Sequence, residues 1–254
     1  MRILISNDDG INAKGIGILE RIARRFTDDV TVVAPADEQS GKGRSLTLTT
    51  PIRMRRVDDR HFAVFGTPTD AVIMALGEVM KDGPPDLILS GINRGANLAE
   101  DVSYSGTVAA AMEGALAGIR SVALSQIYPR RGMGDSVKFD AAEAYGTEVI
   151  DKLIGMDWAP RTVVNVNFPP VAADQVRGIK VVRQGLRDYS APKLEHGLDP
   201  RGFPYWWMHH GSTPQTPDAH TDLEASAQGY VTVTPLQLDL THDPSLTALE
   251  ARFG

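Results

Sequence analysis

Cysteine is absent from all 254 residues, which removes disulfides and thiolate metal sites and leaves carboxylate, hydroxyl, carboxamide and imidazole groups as the available ligands. Any metal centre is therefore expected to be oxygen-rich. Positive charge is in deficit, with 26 Lys and Arg against 32 Asp and Glu and a formal net charge of -6. That balance argues against a surface that binds polymeric nucleic acid by neutralising phosphates, although a local basic pocket for one phosphate remains compatible with it. Long apolar runs are missing too: no segment approaches the roughly 18 uninterrupted apolar residues of a membrane span. The N-terminus enters an apolar run after two residues, with no charged region followed by a leader-like stretch. A soluble, cytoplasmic protein without a membrane partner is expected. What the chain does have is 42% hydrophobic residues, enough for a substantial core, and its length suits one large α/β domain with an appendage.

The first organised stretch is Ile3-Leu4-Ile5-Ser6-Asn7-Asp8-Asp9-Gly10. A short apolar run that stops at Asn-Asp-Asp-Gly reads as a buried strand feeding a tight turn, and helical spacing from Ile16 to Phe26 reads as the crossover that follows. Val30 to Ala34 completes a βαβ unit, which implies parallel strands. Asp8 and Asp9 then stand at the carboxyl end of a strand, the edge at which open α/β sheets bind ligands. Adjacent carboxylates repel unless positive charge lies beside them, and a hard cation such as Mg²⁺ or Mn²⁺ would supply it. A plain polar turn explains the same tetrapeptide, since Asn, Asp and Gly are common turn residues.

Two further loops follow predicted strands at the same edge. One runs from Ala36 through Ser40 to Arg44. The other leaves the strand Asp86–Ser90 as Gly91-Ile92-Asn93-Arg94-Gly95-Ala96-Asn97 and continues to Tyr104-Ser105-Gly106-Thr107, where an Ala-rich helix from Val108 begins. Ser-Gly-Thr before a helix presents amides and hydroxyls at the positive end of the helix dipole, a cradle for phosphate; an ordinary Ser/Thr cap is the simpler alternative. Between these loops, Leu46 to Met54 and His61 to Phe65 alternate as short antiparallel strands, and Gly66 to Asp70 starts a helix reaching Met80. Helix 138–154 and strands 121–125, 162–166 and 180–183 extend the α/β pattern. Residues 184–227 are dense in Gly, Pro, His and aromatics and read as an arm or lid, with Tyr205-Trp206-Trp207 suited to a subunit interface, to base stacking or to packing under a long loop. Two alternating pieces, 230–234 and 235–241, and a helix from about Ser245 close the chain.

Two carboxylates, a hydroxyl and a carboxamide, from Asp8, Asp9, Ser40 and Asn93, make an oxygen shell for Mg²⁺ or Mn²⁺, with Ser105, Gly106 and Thr107 alongside for phosphate. That pairing implies phosphoryl chemistry. The ordered motifs Ser6–Gly10, Ser40-Gly41, Gly66-Thr67-Pro68, Ser90–Asn97 and Tyr104–Ala110, with Asp199–Gly202, Thr221-Asp222-Leu223 and Gly229 to Thr241, resemble the SurE family, the survival-protein-E nucleotidases, across essentially the whole chain. The resemblance implies a metal-dependent phosphatase acting on nucleoside monophosphates, with 3'-monophosphates and short polyphosphate as further candidates. It also implies a Rossmann-like α/β fold, a three-layer mostly parallel sheet with an extended C-terminal β-rich arm. Residues 1–180 would form the core, 181–229 the arm for homodimer or homotetramer assembly, and 230–254 the last strands and helix. By the same resemblance Asp8, Asp9, Ser40 and Asn93 match the metal ligands. Asp8 and Asp9 are the catalytic candidates, with Asp8 either the general base for a metal-bound water or a direct nucleophile. Asn97, Ser105, Gly106 and Thr107 would bind the phosphoryl oxygens.

Two positions depart from the resemblance. Lys42-Gly43-Arg44 follows Ser40-Gly41 where small residues are more usual, which would favour more anionic phosphates, and His220 precedes Thr221-Asp222 where glycine is more usual. The tandem His209-His210 suits a surface or interface role better than a zinc pair, because neighbouring residues tend to point to different sides. Competing readings are a metal-dependent nucleotide-binding protein without turnover and a sugar-nucleotide transferase. The first has little need for two adjacent carboxylates facing an anion, and the second would be expected to need another nucleotide-binding half.

Overall fold

An apolar run as short as Ile3 to Ile5 buries both faces only inside a sheet covered on two sides, and the computed structural model, which describes residues 1–129, 136–187, 193–209 and 218–254, has it there. In chain order the elements are β1 (Ile3–Ser6), α1 (Lys14–Ala23), β2 (Val30–Pro35), β3 (Arg53–Arg56), β4 (His61–Phe65), α2 (Pro68–Met74), β5 (Leu87–Arg94), α3 (Gly106–Leu116), β6 (Arg120–Gln126), α4 (Asp140–Ile154) and β7 (Thr162–Phe168). They are followed by β8 (Ile179–Val181), β9 (Lys193–Leu198), β10 (Pro204–His209), α5 (Asp222–Ala227), β11 (Val231–Gln237) and α6 (Asp243–Phe253). Among the described residues the main sheet has the order β3-β4-β2-β1-β5-β6-β7-β11-β8. The block from β4 to β7 is parallel; β3 and β11 run antiparallel to β4 and β7.

Alternate residues of the strands serve opposite faces. Ile3, Ile5, Val30 and Val32 pack with Ile18, Leu19 and Ile22 of α1 and with Val149 and Ile150 of α4. Leu4, Val33 and Ile88 pack with Ala71 and Val72 of α2 and Ala110 of α3. The result is a three-layer α/β fold with a mostly parallel sheet. The chain builds outward from β1 through β2 to β4, then returns to β5 on the other side of β1. This reversal makes the crevice above β1 and β5 a topological switch point, the favoured ligand position in such sheets.

Several elements differ from the sequence reading. β5 does not stop at Ser90 but continues to Arg94, through a register shift against β6 between Ser90 and Asn93. No strand forms around Leu46 and Leu48: Thr47 is drawn instead to Asp70, which accepts from its hydroxyl at 2.6 Å and its amide at 3.1 Å, and Leu48 is 84% exposed. The helix after Gly66 is α-helical to Met74 and continues as a π-helical turn, Ala75–Val79. The two pieces expected at 230–241 are one strand, β11. Its Pro235 is tolerated because β8 pairs only with Val231 to Val233, leaving the rest of β11 as an edge. The short helix α5 was unexpected; Thr221 caps it, its hydroxyl accepting from the Glu224 amide at 3.4 Å.

The aromatic segment is the strand β10, paired antiparallel with β9 in a separate two-stranded sheet. Trp206 and Trp207 are more than half exposed, so packing under a loop of this chain does not account for them. Of the tandem histidines, His209 ends β10 and His210 lies outside the described residues. No helix among the described residues is long and apolar enough to cross a membrane.

Candidate functional site

Asp8 and Asp9 follow β1 directly, in a turn that Asn7 closes on itself. Its carboxamide donates to the Gly10 carbonyl at 2.9 Å and accepts from the Gly10 amide at 3.2 Å. Gly10 has φ +97, a conformation open to glycine at little cost. The turn is then tied to the neighbouring loops. The Asp8 carbonyl accepts from the Gln39 amide at 2.8 Å, which holds the Ser40 loop beside it. The Asp9 Oδ2 accepts from the Arg94 amide at 2.9 Å, which fixes Asn93 on the other flank.

The start of α3 meets the same carboxylates. The Thr107 hydroxyl donates to Asp8 Oδ1 at 2.5 Å, and a Cβ on Gly106 would lie 2.9 Å from Asp8 Oδ2. Ser105 is the helix cap, its Oγ accepting from the Val108 amide at 3.0 Å. The simple capping role therefore holds for its hydroxyl, while the Gly106 and Thr107 amides belong to the first turn, which lacks intrahelical acceptors. The helix start thus faces a carboxylate at a distance where only a glycine fits.

The sequence reading brought Asn97 into this group but missed what holds it. Its backbone amide donates to Asn167 Oδ1 at 2.8 Å, and its carbonyl accepts from Asn165 at 2.8 Å and Asn167 at 3.1 Å. Its own carboxamide donates to Ser125 Oγ at 2.8 Å. Asn165 and Asn167, two apart on β7 and both fully buried, were the available signal: amides repeated on one face of a strand need partners there. Asp222, also fully buried, accepts from the amides of Gly185, Leu223 and Ala99 at 2.8, 2.8 and 2.9 Å. It ties the base of the arm to the loop that carries Asn97.

Electrostatically the pair is a concentration of negative charge. Burial pushes the Asp8 carboxyl up to about 6, against the Thr107 hydrogen bond and with help from the Asp9 charge. Asp9 is also raised, by burial first, with Arg94 opposing and Glu38 adding to the rise. A cation would relieve both. Asn93 donates its amide nitrogen to the Gly95 carbonyl at 3.0 Å, so its oxygen is the atom a cation could use. Ser40 is exposed, and its hydroxyl donates to Glu38 at 2.9 Å. Among the described residues no group of three or more His, Asp and Glu is arranged for a metal. A cation here would rest on two carboxylates with neutral oxygens, a donor set matched to a hard ion that keeps several waters.

The protein-family model described as Survival protein SurE matches residues 3–191 of this chain. The 5'-nucleotidase SurE of Rhizorhabdus wittichii is 60% identical over 253 residues, covering 100% of both chains. That of Erythrobacter litoralis is 54% identical over 253 residues, again covering 100% of both. Among solved structures, the SurE protein from Aquifex aeolicus superposes with a TM-score of 0.85 at 36% identity, covering 100% of both chains.

Proposed function

The chain belongs to the survival protein SurE family, and we propose that it works as a metal-dependent 5'-nucleotidase, with Asp8, Asp9, Ser40 and Asn93 holding a divalent cation, Mg²⁺ or Mn²⁺. The activity is that of a phosphoric monoester hydrolase: a nucleoside monophosphate and water give nucleoside and phosphate. The same reading extends to 3'-monophosphates and short polyphosphate, toward which Lys42 and Arg44 would add positive charge. The observation that carries it is the direct junction of Asp8 with the amino end of α3 through Thr107.

When bound, the cation would supply Lewis acidity toward a phosphoryl oxygen and would acidify water. The remaining work falls to the protein. Thr107 holds Asp8 Oδ1, leaving Oδ2 turned toward Gly106. Asp8 Oδ2 takes the proton of the attacking water as its oxygen bonds to phosphorus, and returns it to the nucleoside oxygen as that P–O bond breaks. The Gly106 and Thr107 amides, with Asn97 and the dipole of α3, hold the phosphoryl oxygens and oppose the charge that develops on them. Residues 1–180 would act as the catalytic core, and the arm, 181–229, would join two or four copies through its aromatic strand, with 230–254 completing the sheet.

The test is phosphate release from a panel of nucleoside monophosphates with Mg²⁺, with Mn²⁺ and with chelator, for the wild type and Asp8→Asn. Release that needs metal and is lost in the variant is expected. Folded protein that binds nucleotide but releases no phosphate with either metal would overturn the catalytic reading in favour of a binding protein.

A further inference from the structure

Residues 98–101 lie between two proposed phosphate contacts, Asn97 on one side and the Ser105–Thr107 helix start on the other, and the root of the arm grips each of them in turn. Ala99 is buried and has φ +52, a backbone conformation that a residue other than glycine adopts only at a cost. Both its backbone groups are engaged: the amide donates to Asp222 at 2.9 Å, and the carbonyl accepts from the Gln184 carboxamide at 2.8 Å. Arg187 spans the next two side chains. Its guanidinium donates to Glu100 at 3.0 Å and to the two oxygens of Asp101 at 2.9 and 2.8 Å, and its backbone amide donates to the other Glu100 oxygen at 3.0 Å. The Leu98 carbonyl accepts from the same guanidinium at 3.4 Å.

We propose that Arg187 is a positioning residue for the hydrolysis: standing outside the proposed phosphate contacts, it fixes the loop that joins Asn97 to the start of α3 and so keeps both in place for the phosphoryl group. The proposal rests on the nucleotidase reading and adds to it a link between the arm and the phosphate site. Three observations separate Arg187 from an ordinary surface ion pair. Its planar fork meets two carboxylates and a carbonyl at once, a set of contacts that a point-like ammonium cannot reproduce. The Arg187 and Glu100 side chains are only 25% and 18% exposed, so salt screens them less than a solvated pair. The guanidinium also offsets two adjacent carboxylates that would otherwise repel each other and an anion arriving at Asn97. Asn97 is anchored to β7 through Asn165 and Asn167, whereas the strained residue two places further on is held by Gln184 and Asp222. Release of the arm's root would let that stretch relax and carry its neighbours with it.

Arg187→Met keeps the length of the side chain and removes the fork, and Asp101→Asn keeps the shape and removes the charge from the loop side. The two variants, their combination and the wild type are compared by kcat and KM for adenosine 5'-monophosphate, by the dissociation constant of inorganic phosphate with Mg²⁺, and by the dissociation constant of Mn²⁺ from electron paramagnetic resonance, with melting curves confirming the fold. Arg187→Met is expected to lower kcat/KM and phosphate affinity by about tenfold. Its Mn²⁺ affinity should be unchanged, because the turn after β1 holds Asp8 and Asp9 independently of the arm. Asp101→Asn should weaken phosphate less, and the double variant should be no worse than Arg187→Met alone, as for two partners in one contact. If Arg187→Met unfolds, Asp101→Asn carries the test. Unchanged phosphate affinity in a folded variant overturns the positioning role and leaves the nucleotidase reading standing. A parallel loss of phosphate and Mn²⁺ affinity does the same, since it marks a general loosening of the fold. A wild type that releases no phosphate from the nucleotide with Mg²⁺ or Mn²⁺ overturns both.

Discussion

Thr107 donates its hydroxyl to Asp8 Oδ1 at 2.5 Å across a sequence separation of 99 residues. Both partners are buried, so the bond locks the carboxylate's rotamer where no water can substitute. It also lowers the Asp8 pKa against the larger effect of burial. Thr107→Val keeps the shape and removes the donor. The unsatisfied carboxylate oxygen should cost about 1 to 3 kcal/mol of stability. The kcat for nucleotide hydrolysis should fall by about tenfold or more, with the acid limb of the pH profile moved upward. Thr107→Ser, which keeps the hydroxyl, should recover most of both; equal loss in Ser and Val variants would refute the role of the hydrogen bond.

Gly106 makes a second, steric claim on the same carboxylate. A Cβ there would stand 2.7 Å from Asp8 Cβ and 2.9 Å from a Pro68 ring carbon, closer than real side chains approach. Gly106→Ala should therefore lose activity by at least about tenfold through displacement of Asp8, although alanine favours the helix. Gly17, in the middle of α1 with open space at its Cβ position, gives the control: Gly17→Ala should stabilise by about 0.5 to 1 kcal/mol and leave turnover alone. Steady-state kinetics and urea denaturation on the two variants separate packing from propensity.

The raised Asp8 pKa, about 6 by burial first, carries a sign that can be checked without substrate. A carboxyl whose folded pKa exceeds its unfolded value binds its proton more tightly when folded. Its contribution to stability is complete below about pH 4 and is lost as pH rises through about 6. In chelator, this one group should remove about 3 kcal/mol of stability between those limits, a loss that Asp8→Asn should abolish. Added Mg²⁺ or Mn²⁺ should return stability at pH 7 in the wild type and not in the variant. Urea midpoints across pH 4 to 7, with and without metal, provide the measurement; identical pH dependence in wild type and variant would refute the assignment.

Much of the candidate site's placement in the fold could be read from the chain because its parts are local. Asp8 and Asp9 follow a four-residue strand, and Ser105 to Thr107 open a helix whose composition announces it. The continuous apolar runs of β1 and β2, with a helix-spaced stretch between them, made the parallel core legible, and with it the edge where the loops meet. What could not be read depends on distant partners. Leu46 to Met54 alternates like a strand, but two hydrogen bonds from Thr47 to Asp70 take that backbone elsewhere. The extension of β5 to Arg94 depends on pairing with β6 after a register shift, which no local pattern encodes. Asn165 and Asn167 carry meaning only once Asn97 is known to lie against them.

Asp222 shows how such a distant partner supports the site. It accepts three backbone amides, from Gly185, Leu223 and Ala99, with no exposure to solvent. Asp222→Asn substitutes a donor for one acceptor and sets an N–H against an N–H. A cost of about 2 to 4 kcal/mol is expected. Because Ala99 belongs to the loop after Asn97, the KM for nucleotide should rise as well, even though Asp222 touches no proposed substrate position. A stability loss with unchanged KM would confine Asp222 to the fold.

The arm poses the last question. β9 and β10 form a two-stranded sheet of their own, an arrangement only marginally stable in water without a covering layer. Its aromatics pair among themselves, Tyr205 with Trp207 at 6.4 Å and Trp206 with His196 at 5.4 Å. Phe203, Trp206, Trp207 and Met208 nevertheless remain 56 to 68% exposed. Adjacent strand residues point to opposite faces, so Trp206 and Trp207 present large apolar surface on both sides of the hairpin. The proposed homodimer or homotetramer would cover it. Trp206→Ser with Trp207→Ser should convert the assembly toward monomer in light-scattering chromatography and lower the melting temperature, while the isolated subunit keeps the α/β circular dichroism of its core. A double variant that elutes with the wild-type mass would show that the arm does not hold the copies together.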